Sequence, residues 1–242
     1  MHPGPDEPAS HDIAQLREEL AALFPLRDLD IRIGGHEIRL TTAKDIEQLI
    51  DRITEDEFRV DERLPYWAEL WHSAVALAAF LTENRVPLAG RRVLEIGCGL
   101  ALPGILAAAS GAHVTCSDFE EHARLAATIN IRQNLPGVAV NVRHMDFRHP
   151  PEERWPLILA ADVIYEKRFV KPLADFLDQV LQTDGTVLLA EPNRVIAIPF
   201  FEALTARGFR YRRHARMTRL HDREVEISVY EITKGSIAPP LP

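Results

Sequence analysis

The residues best placed to do chemistry form the run Glu95-Ile96-Gly97-Cys98-Gly99, which closes the β-rich stretch from Val93 and precedes a helical pattern opening at Leu102. Strand, glycine turn and helix in that order is the layout of a nucleotide-binding turn, because glycine lacks the Cβ that would keep a ligand off the backbone. A second apolar run ends at Ser117-Asp118, nineteen residues past Gly99, where a carboxylate can accept hydrogen bonds from both hydroxyls of a ribose. A dinucleotide fingerprint requires a third glycine at position 102, but Leu102 stands there and the next glycine is Gly104. Glu95, two residues before the first glycine, would repel a pyrophosphate, whereas a sulfonium cofactor with an amino-acid end is cationic there and tolerates it.

These groups need elements to hold them. From Arg91 onward, short β-rich runs alternate with helical patterns, the mark of βαβ units and a parallel sheet. Strands are expected at 92–96, 113–117, 139–144, 157–161 and 186–191, with helices at 102–109, 120–133, 169–181 and 199–207. The stretches 210–217 and 225–232 read as an antiparallel pair at one edge. Upstream, Ile13, Leu16, Leu20 and Leu23 repeat at helical spacing with Ser10 placed as cap, and Gly34-Gly35 joins two alternating runs as a hairpin. Thr42 is expected to open a short helix carrying Ile46, Leu49 and Ile50, and a helix at 73–82 follows the aromatics Tyr66, Trp67 and Trp71. The organisation that results is an accessory segment at 1–63, a main domain at 64–234 and flexible Pro-rich ends, the last at 235–242.

At 242 residues the chain can bury roughly 70% of its unfolded surface and needs neither disulfide nor metal for its core. Its net charge of −8 disfavours nucleic acid as a partner. The densest basic stretch, 207–219, reads as the exposed side of a strand or turn. Cys98 and Cys116 lack metal-type spacing, none of the ten histidines sits in a catalytic or metal pairing, and His72 reads as a helix start, so no metal is expected. The first nine residues have no apolar core of the signal-peptide kind, and the longest apolar run, near 102–109, is far short of the ~20 residues that span a bilayer. A cytoplasmic protein with no membrane partner is expected.

The Glu-x-Gly-x-Gly pattern resembles motif I of the seven-stranded class I methyltransferases. That likeness implies S-adenosyl-L-methionine as cofactor and an α/β, doubly wound, Rossmann-like sheet of seven mostly parallel strands, here with the antiparallel C-terminal edge pair and a small N-terminal helix and hairpin layer. It implies that Glu95, Gly97, Cys98 and Gly99 cradle the cofactor, Asp118 binds its ribose with Phe119 beside the adenine, and Asp146 and Phe147 form the adenine site. The run Ala161-Asp162-Val163-Ile164-Tyr165 resembles the DxxY signature of a lysine methyltransferase branch, at the strand end where open α/β sheets place ligands. The segments 64–71 and 191–194 are similar to those of the electron-transfer-flavoprotein β-subunit lysine methyltransferases, in which the tryptophan before the first domain helix lies over the cofactor. Trp71, with Trp67 nearby, is therefore expected to wall the pocket. The likeness covers about 64–232 and finds no counterpart in the first sixty residues. Phe147 stands where eukaryotic members of the branch often carry Trp.

What the resemblance implies is N-methylation of a protein lysine, with the flavoprotein β subunit one candidate. A small amine or heterocycle is the alternative acceptor, and a non-catalytic cofactor-binding module is a further reading. Freeing a lysine lone pair at pH 7 costs about 4.6 kcal/mol from its reference pKa, and a carboxylate alone would raise that cost. Asp162 would aim the amine while a desolvated pocket favours its neutral form, Tyr165 would line the channel, and the proton would leave through water.

Overall fold

Local chemistry sets the element boundaries in the structure, a computed structural model that describes residues 12–44, 65–83 and 86–235. Helix α1 (Ile13–Leu23) starts at Asp12, whose backbone N–H donates to the Gln15 side chain at 3.2 Å. The expected cap, Ser10, lies outside the described residues, as do the expected helix through Ile46, Leu49 and Ile50 and both chain ends. Strands β1 (Leu26–Ile33) and β2 (His36–Ala43) form the hairpin, with Gly34 at φ 55° and Gly35 at φ 84° supplying the left-handed pair its turn needs. Thr42 does not open a helix. It lies buried within β2, where its Oγ1 donates to the Ala68 carbonyl and its β-branched side chain suits a strand.

After a 3-10 turn at Tyr66–Ala68 come α2 (His72–Glu83), β3 (Arg92–Ile96), α3 (Leu102–Ala109), β4 (His113–Asp118) and α4 (Glu121–Asn134). Strands β5 (Asn141–His144) and β6 (Trp155–Ala161) lead to α5 (Lys167–Val180), β7 (Leu181–Glu191), α6 (Ile198–Ala206), β8 (Phe209–Leu220) and β9 (Arg223–Lys234). Leu181, expected at a helix end, begins β7 instead, because α5 stops at Val180 and the chain turns straight into the sheet.

The sheet runs β5-β4-β3-β6-β7-β9-β8. Its first five members pair in parallel, and β9 lies antiparallel to both β7 and β8. This is the doubly wound, mostly parallel seven-stranded sheet that the sequence pattern implies. One buried cluster under α2, α3 and α4 also takes in Leu16, Leu20, Ile33, Ile38 and Leu40 from α1 and the hairpin, and a second lies under α5 and α6. Alternation along β3 sends Val93 to the first cluster and Leu94 and Ile96 to the second. The chain reverses winding direction between β3 and β6, so the carboxyl ends of these two neighbours open the crevice in which such sheets bind ligands. Among the described residues no helix is long and apolar enough to cross a membrane. In the basic stretch, Arg207, Arg212, Arg213 and Arg216 are ion-paired with Asp175, Glu231, Glu226 and Glu83, which leaves little unbalanced positive charge there.

Candidate functional site

The turn after β3 is shaped by three left-handed residues, Gly97 at φ 57°, Gly99 at φ 49° and Ala101 at φ 61°. A Cβ on Gly97 would lie 2.8 Å from Val163 Cγ1, so bare backbone is what lets the turn pass close to the end of β6. Strand β4 braces the turn from the other side. The Cys98 N–H donates to the Ser117 carbonyl at 3.0 Å, and Ser117 Oγ donates to the Glu95 carbonyl at 2.9 Å. Asp118 takes the Gly99 N–H on Oδ2 and the Glu120 N–H on Oδ1, each at 3.0 Å. Burial raises the Asp118 carboxyl, and these amides pull it back part of the way. Each oxygen keeps a lone pair for a further donor.

Glu95 differs from the exposed charge that its position suggests. Its side chain points under α3, only 2% exposed, and accepts the Gly104 N–H at 3.0 Å and the Cys116 S–H at 3.3 Å. Burial pushes it up to about 8, so it is mainly the neutral acid at pH 7. Gly104 is what makes room, since a Cβ there would collide with Glu95 Oε2 and come within 2.6 Å of Cys116 Sγ. Cys98 and Cys116 are free, buried thiols, and the Cys98 S–H donates to Cys116 Sγ, which with burial raises Cys98 well above the ordinary thiol range. Glu95 therefore presents little formal charge to the cleft at pH 7, which Leu102 also lines.

Past β5, Asp146 accepts the Arg148 N–H at 2.8 Å and the Arg148 Nε at 2.9 Å. Burial alone would raise this carboxyl, but the Arg148 contacts hold it down to about 2. The Arg148 guanidinium also sits 5.4 Å from the Phe119 ring, and Phe119 lies 5.4 Å from the ring of His144. Phe147 is set edgewise against Phe176 at 5.6 Å and Phe169 at 6.3 Å, both on α5.

Asp162 follows β6 in a left-handed conformation, φ 61°, with its N–H on the Ala190 carbonyl at 3.0 Å. Its carboxylate is ion-paired with Arg194. The Arg194 N–H donates to Glu191 Oε1 at 2.9 Å, and burial pushes Glu191 up to about 7. The Tyr165 ring lies tilted against that of Tyr66, 5.0 Å between centroids, and the Tyr66 carbonyl accepts Trp71 Nε1–H at 2.8 Å. Partial burial raises both phenols, with Glu166 adding to the effect at each and Asp118 at Tyr165.

Trp67, Trp71, Glu95, Gly97, Cys98, Gly99, Asp118, Phe119, Asp146, Phe147, Ala161, Asp162 and Tyr165 all line one cleft, whose empty space including its open mouth is about 1230 Å³. Trp67 also has partners outside the cleft. Its indole packs edgewise on Phe24 at 5.5 Å and near His122 at 6.2 Å, while its backbone lies against Gly99. Reading the residues alone misses Arg148, Tyr66 and the reach of Arg194 to Asp162, although Arg194 belongs to a segment the resemblance singles out. It also misses buried Asn130, which takes the Thr41 N–H at 2.7 Å and donates to the carbonyls of Thr41 and Leu100 at 3.2 Å, tying the hairpin to the glycine turn. Among the described residues no group of three or more His, Cys, Asp and Glu could hold a metal ion.

Comparison with known proteins gives three kinds of likeness. The sequence profile of a family described as lysine methyltransferase matches residues 61–207. The electron transfer flavoprotein beta subunit lysine methyltransferase of Danio rerio is 35% identical over 136 residues, 54% of this chain and 51% of that protein. Protein N-lysine methyltransferase METTL21A of Danio rerio is 36% identical over 136 residues, 53% of this chain and 62% of that protein. The matched part thus spans roughly half to three fifths of these curated relatives. Among solved structures, the magnesium protoporphyrin IX methyltransferase of Synechocystis PCC 6803 with bound SAM superimposes with a TM-score of 0.56 at 15% identity, covering 94% of this chain and 100% of that one, a likeness of fold.

Proposed function

The chain belongs to the lysine methyltransferase family, and from that premise we propose that it transfers a methyl group from S-adenosyl-L-methionine to the side-chain amine of a lysine in a protein. The observation that carries the reading is the position of Asp162, one residue before the Val163 side chain that meets the glycine turn, in a cleft walled by Tyr66, Tyr165 and Phe169.

The residues present suit the cofactor. At Gly97 bare backbone meets Val163 in the wall of the cleft, and Asp118 and Asp146 bring carboxylates to a lining that includes Leu102, Met145, Phe119 and Phe147. Carboxylates matched to hydroxyls and an exocyclic amine, with aromatic faces for a base, are a donor set for adenosine. Asp118 would hold the ribose, Asp146 with Phe147 and Phe119 the adenine, and the turn at Gly97, Cys98 and Gly99 the amino-acid end, with Glu95 beneath it and Ala161 and Trp71 at the walls. Bound there, the cofactor supplies an electrophilic methyl carbon for in-line displacement.

The chain's own task is positioning and exclusion of water. Asp162 accepts an N–H of the incoming amine and aims its lone pair. Tyr66, Tyr165 and Phe169 close the channel, and their apolar surface favours the uncharged amine, whose proton leaves through water. The acceptor is a protein, with the β subunit of electron transfer flavoprotein the first to try, since a relative named for it is 35% identical. The two free thiols suit a reducing compartment such as the cytoplasm.

The test is labelling of a lysate from the source organism with isotopic cofactor, followed by mass spectrometry of the modified residue. Label on lysine of a protein band is the expected result. Label in small molecules alone would turn the reading to an amine or heterocycle acceptor, and tight cofactor binding without any labelled product would turn it to a binding module. Asp162→Asn, which the left-handed backbone at Asp162 accommodates, should cut the rate at least about tenfold.

A further inference from the structure

Three charged groups meet where β6 and β7 end, and the arrangement is built rather than incidental. Glu191 is fully buried and grips both the backbone amide and, at 3.3 Å, the guanidinium of Arg194. The same Arg194 nitrogen reaches Asp162, whose side chain is only 10% exposed. The intervening Asn193 takes a left-handed backbone, φ 62°, and its Oδ1 accepts the hydroxyls of Ser228 at 2.7 Å and Tyr230 at 3.2 Å, which pins the loop to β9. Arg194 is thus held at Asp162 by its own backbone, by Glu191 and by the neighbouring strand.

We propose that Arg194 is a positioning residue for methyl transfer: by sharing the Asp162 carboxylate it offsets that charge at the acceptor amine and so sets the pH at which the amine reacts. The inference rests on the lysine methyltransferase reading. A lone carboxylate beside a lysine stabilises the ammonium ion, the form with no lone pair to give, whereas a neighbouring cation has the opposite effect. With Arg194 in place, Asp162 can still accept one N–H and aim the amine, while the pair as a whole carries no net charge. Glu191, which burial pushes up to about 7, is about half ionised at pH 7 and gains its full charge in alkali, where Arg194 is its partner as well.

Other charged or titratable groups facing the cleft mouth are Glu166, paired with Arg168, Glu69, paired with Arg27, the phenols of Tyr66 and Tyr165, and Asp118 on its backbone amides. Tyr66 already senses Arg194, whose charge lowers its phenol against the upward pull of burial and Glu166. Arg194→Gln also lets the Tyr66 phenol and the Glu191 carboxyl rise, whereas Arg194→Lys keeps the charge that holds them down, so the contrast between the two variants reports on the charge at position 194.

The experiment follows the initial rate of lysine labelling in lysate protein by the full chain from pH 6 to pH 10, with Arg194→Gln and Arg194→Lys beside the wild type, each checked by thermal melting. Arg194→Gln should move the midpoint of the rising limb up by about one to two pH units, with the rate at pH 7 down about ten- to a hundredfold and largely recovered at the alkaline end. Arg194→Lys, which keeps the charge, should stay within about half a unit of the wild type. A folded Arg194→Gln that keeps the wild-type midpoint, or loses the same factor at every pH, overturns the inference. Should that variant not fold, Arg194→Lys decides, because a midpoint displaced by a unit or more contradicts a role for charge. A wild type that labels no lysine at any pH sinks the lysine reading itself, an outcome distinct from an unshifted variant.

Discussion

Glu95→Gln isolates the energetic consequence of burying a carboxyl under the glycine turn. In the folded chain this group is raised from 4.5 to about 8, first by burial and then by the Asp118 charge, against the pull of its Cys116 and Gly104 hydrogen bonds. Below pH 4.5 the folded and unfolded chains both hold the proton, and the stability the group contributes is fully present. Between 4.5 and 8 only the folded chain holds it, so stability falls as pH rises, by about 1.4 kcal/mol per unit. Above 8 both states are ionised and the loss levels off. Glutamine keeps an acceptor for the Gly104 N–H but has nothing to titrate. Its stability relative to wild type should therefore climb by about 3.5 kcal/mol from pH 5 to pH 8. Glu191 gives a similar slope up to about 7, but in both proteins, so it cancels in the difference. Urea unfolding of the two proteins at four pH values, followed by tryptophan fluorescence, measures that difference directly. A difference that stays constant across the range would refute the buried neutral acid.

Substitutions at three further positions test how the cleft is held together. Asn130→Ala leaves the Thr41 amide and two carbonyls without their buried partner and should cost about 2–4 kcal/mol by chemical denaturation, while Asn130→Asp should be no better than Ala because it cannot donate. Gly104→Ala, normally favourable within a helix, should instead lower stability by about 1–3 kcal/mol in a thermal melt, since the new methyl collides with Glu95 and Cys116. Gly97→Ala combines a left-handed backbone with a 2.8 Å approach to Val163, and calorimetric titration with S-adenosylhomocysteine should show affinity down at least about tenfold; unchanged affinity would remove the glycine turn from the binding site.

Much of the fold could be read from the chain because the signals are local. The bounds of β3 and α3 agree with those expected, since alternation of apolar residues, a glycine turn and a helical repeat lie within a few residues of one another. The hairpin at Gly34-Gly35 is legible for the same reason, as its turn needs positive φ at two successive positions. Glu95, the glycine turn and Asp118 stand out by spacing alone, whereas Phe119, Asp146, Phe147, Trp67 and Trp71 are singled out by the family resemblance; all of them line the one cleft, because the carboxyl ends of parallel strands converge. Thr42 misled because a lone threonine caps helices and fills strands equally well, and its buried partner, Ala68, is not local. What required the tertiary structure was the state of each group once assembled. Glu95 becomes a neutral acid because α3 and β4 close over it, and Asp162 shares its charge because a loop after β7 delivers Arg194. Trp67 packs its ring on Phe24 and His122, neighbours far from it in the chain. Ionisation, pairing and side-chain direction depend on dielectric and contacts that no neighbouring stretch of sequence contains, so the chain determined which residues would meet, and the packing decided what they became on meeting.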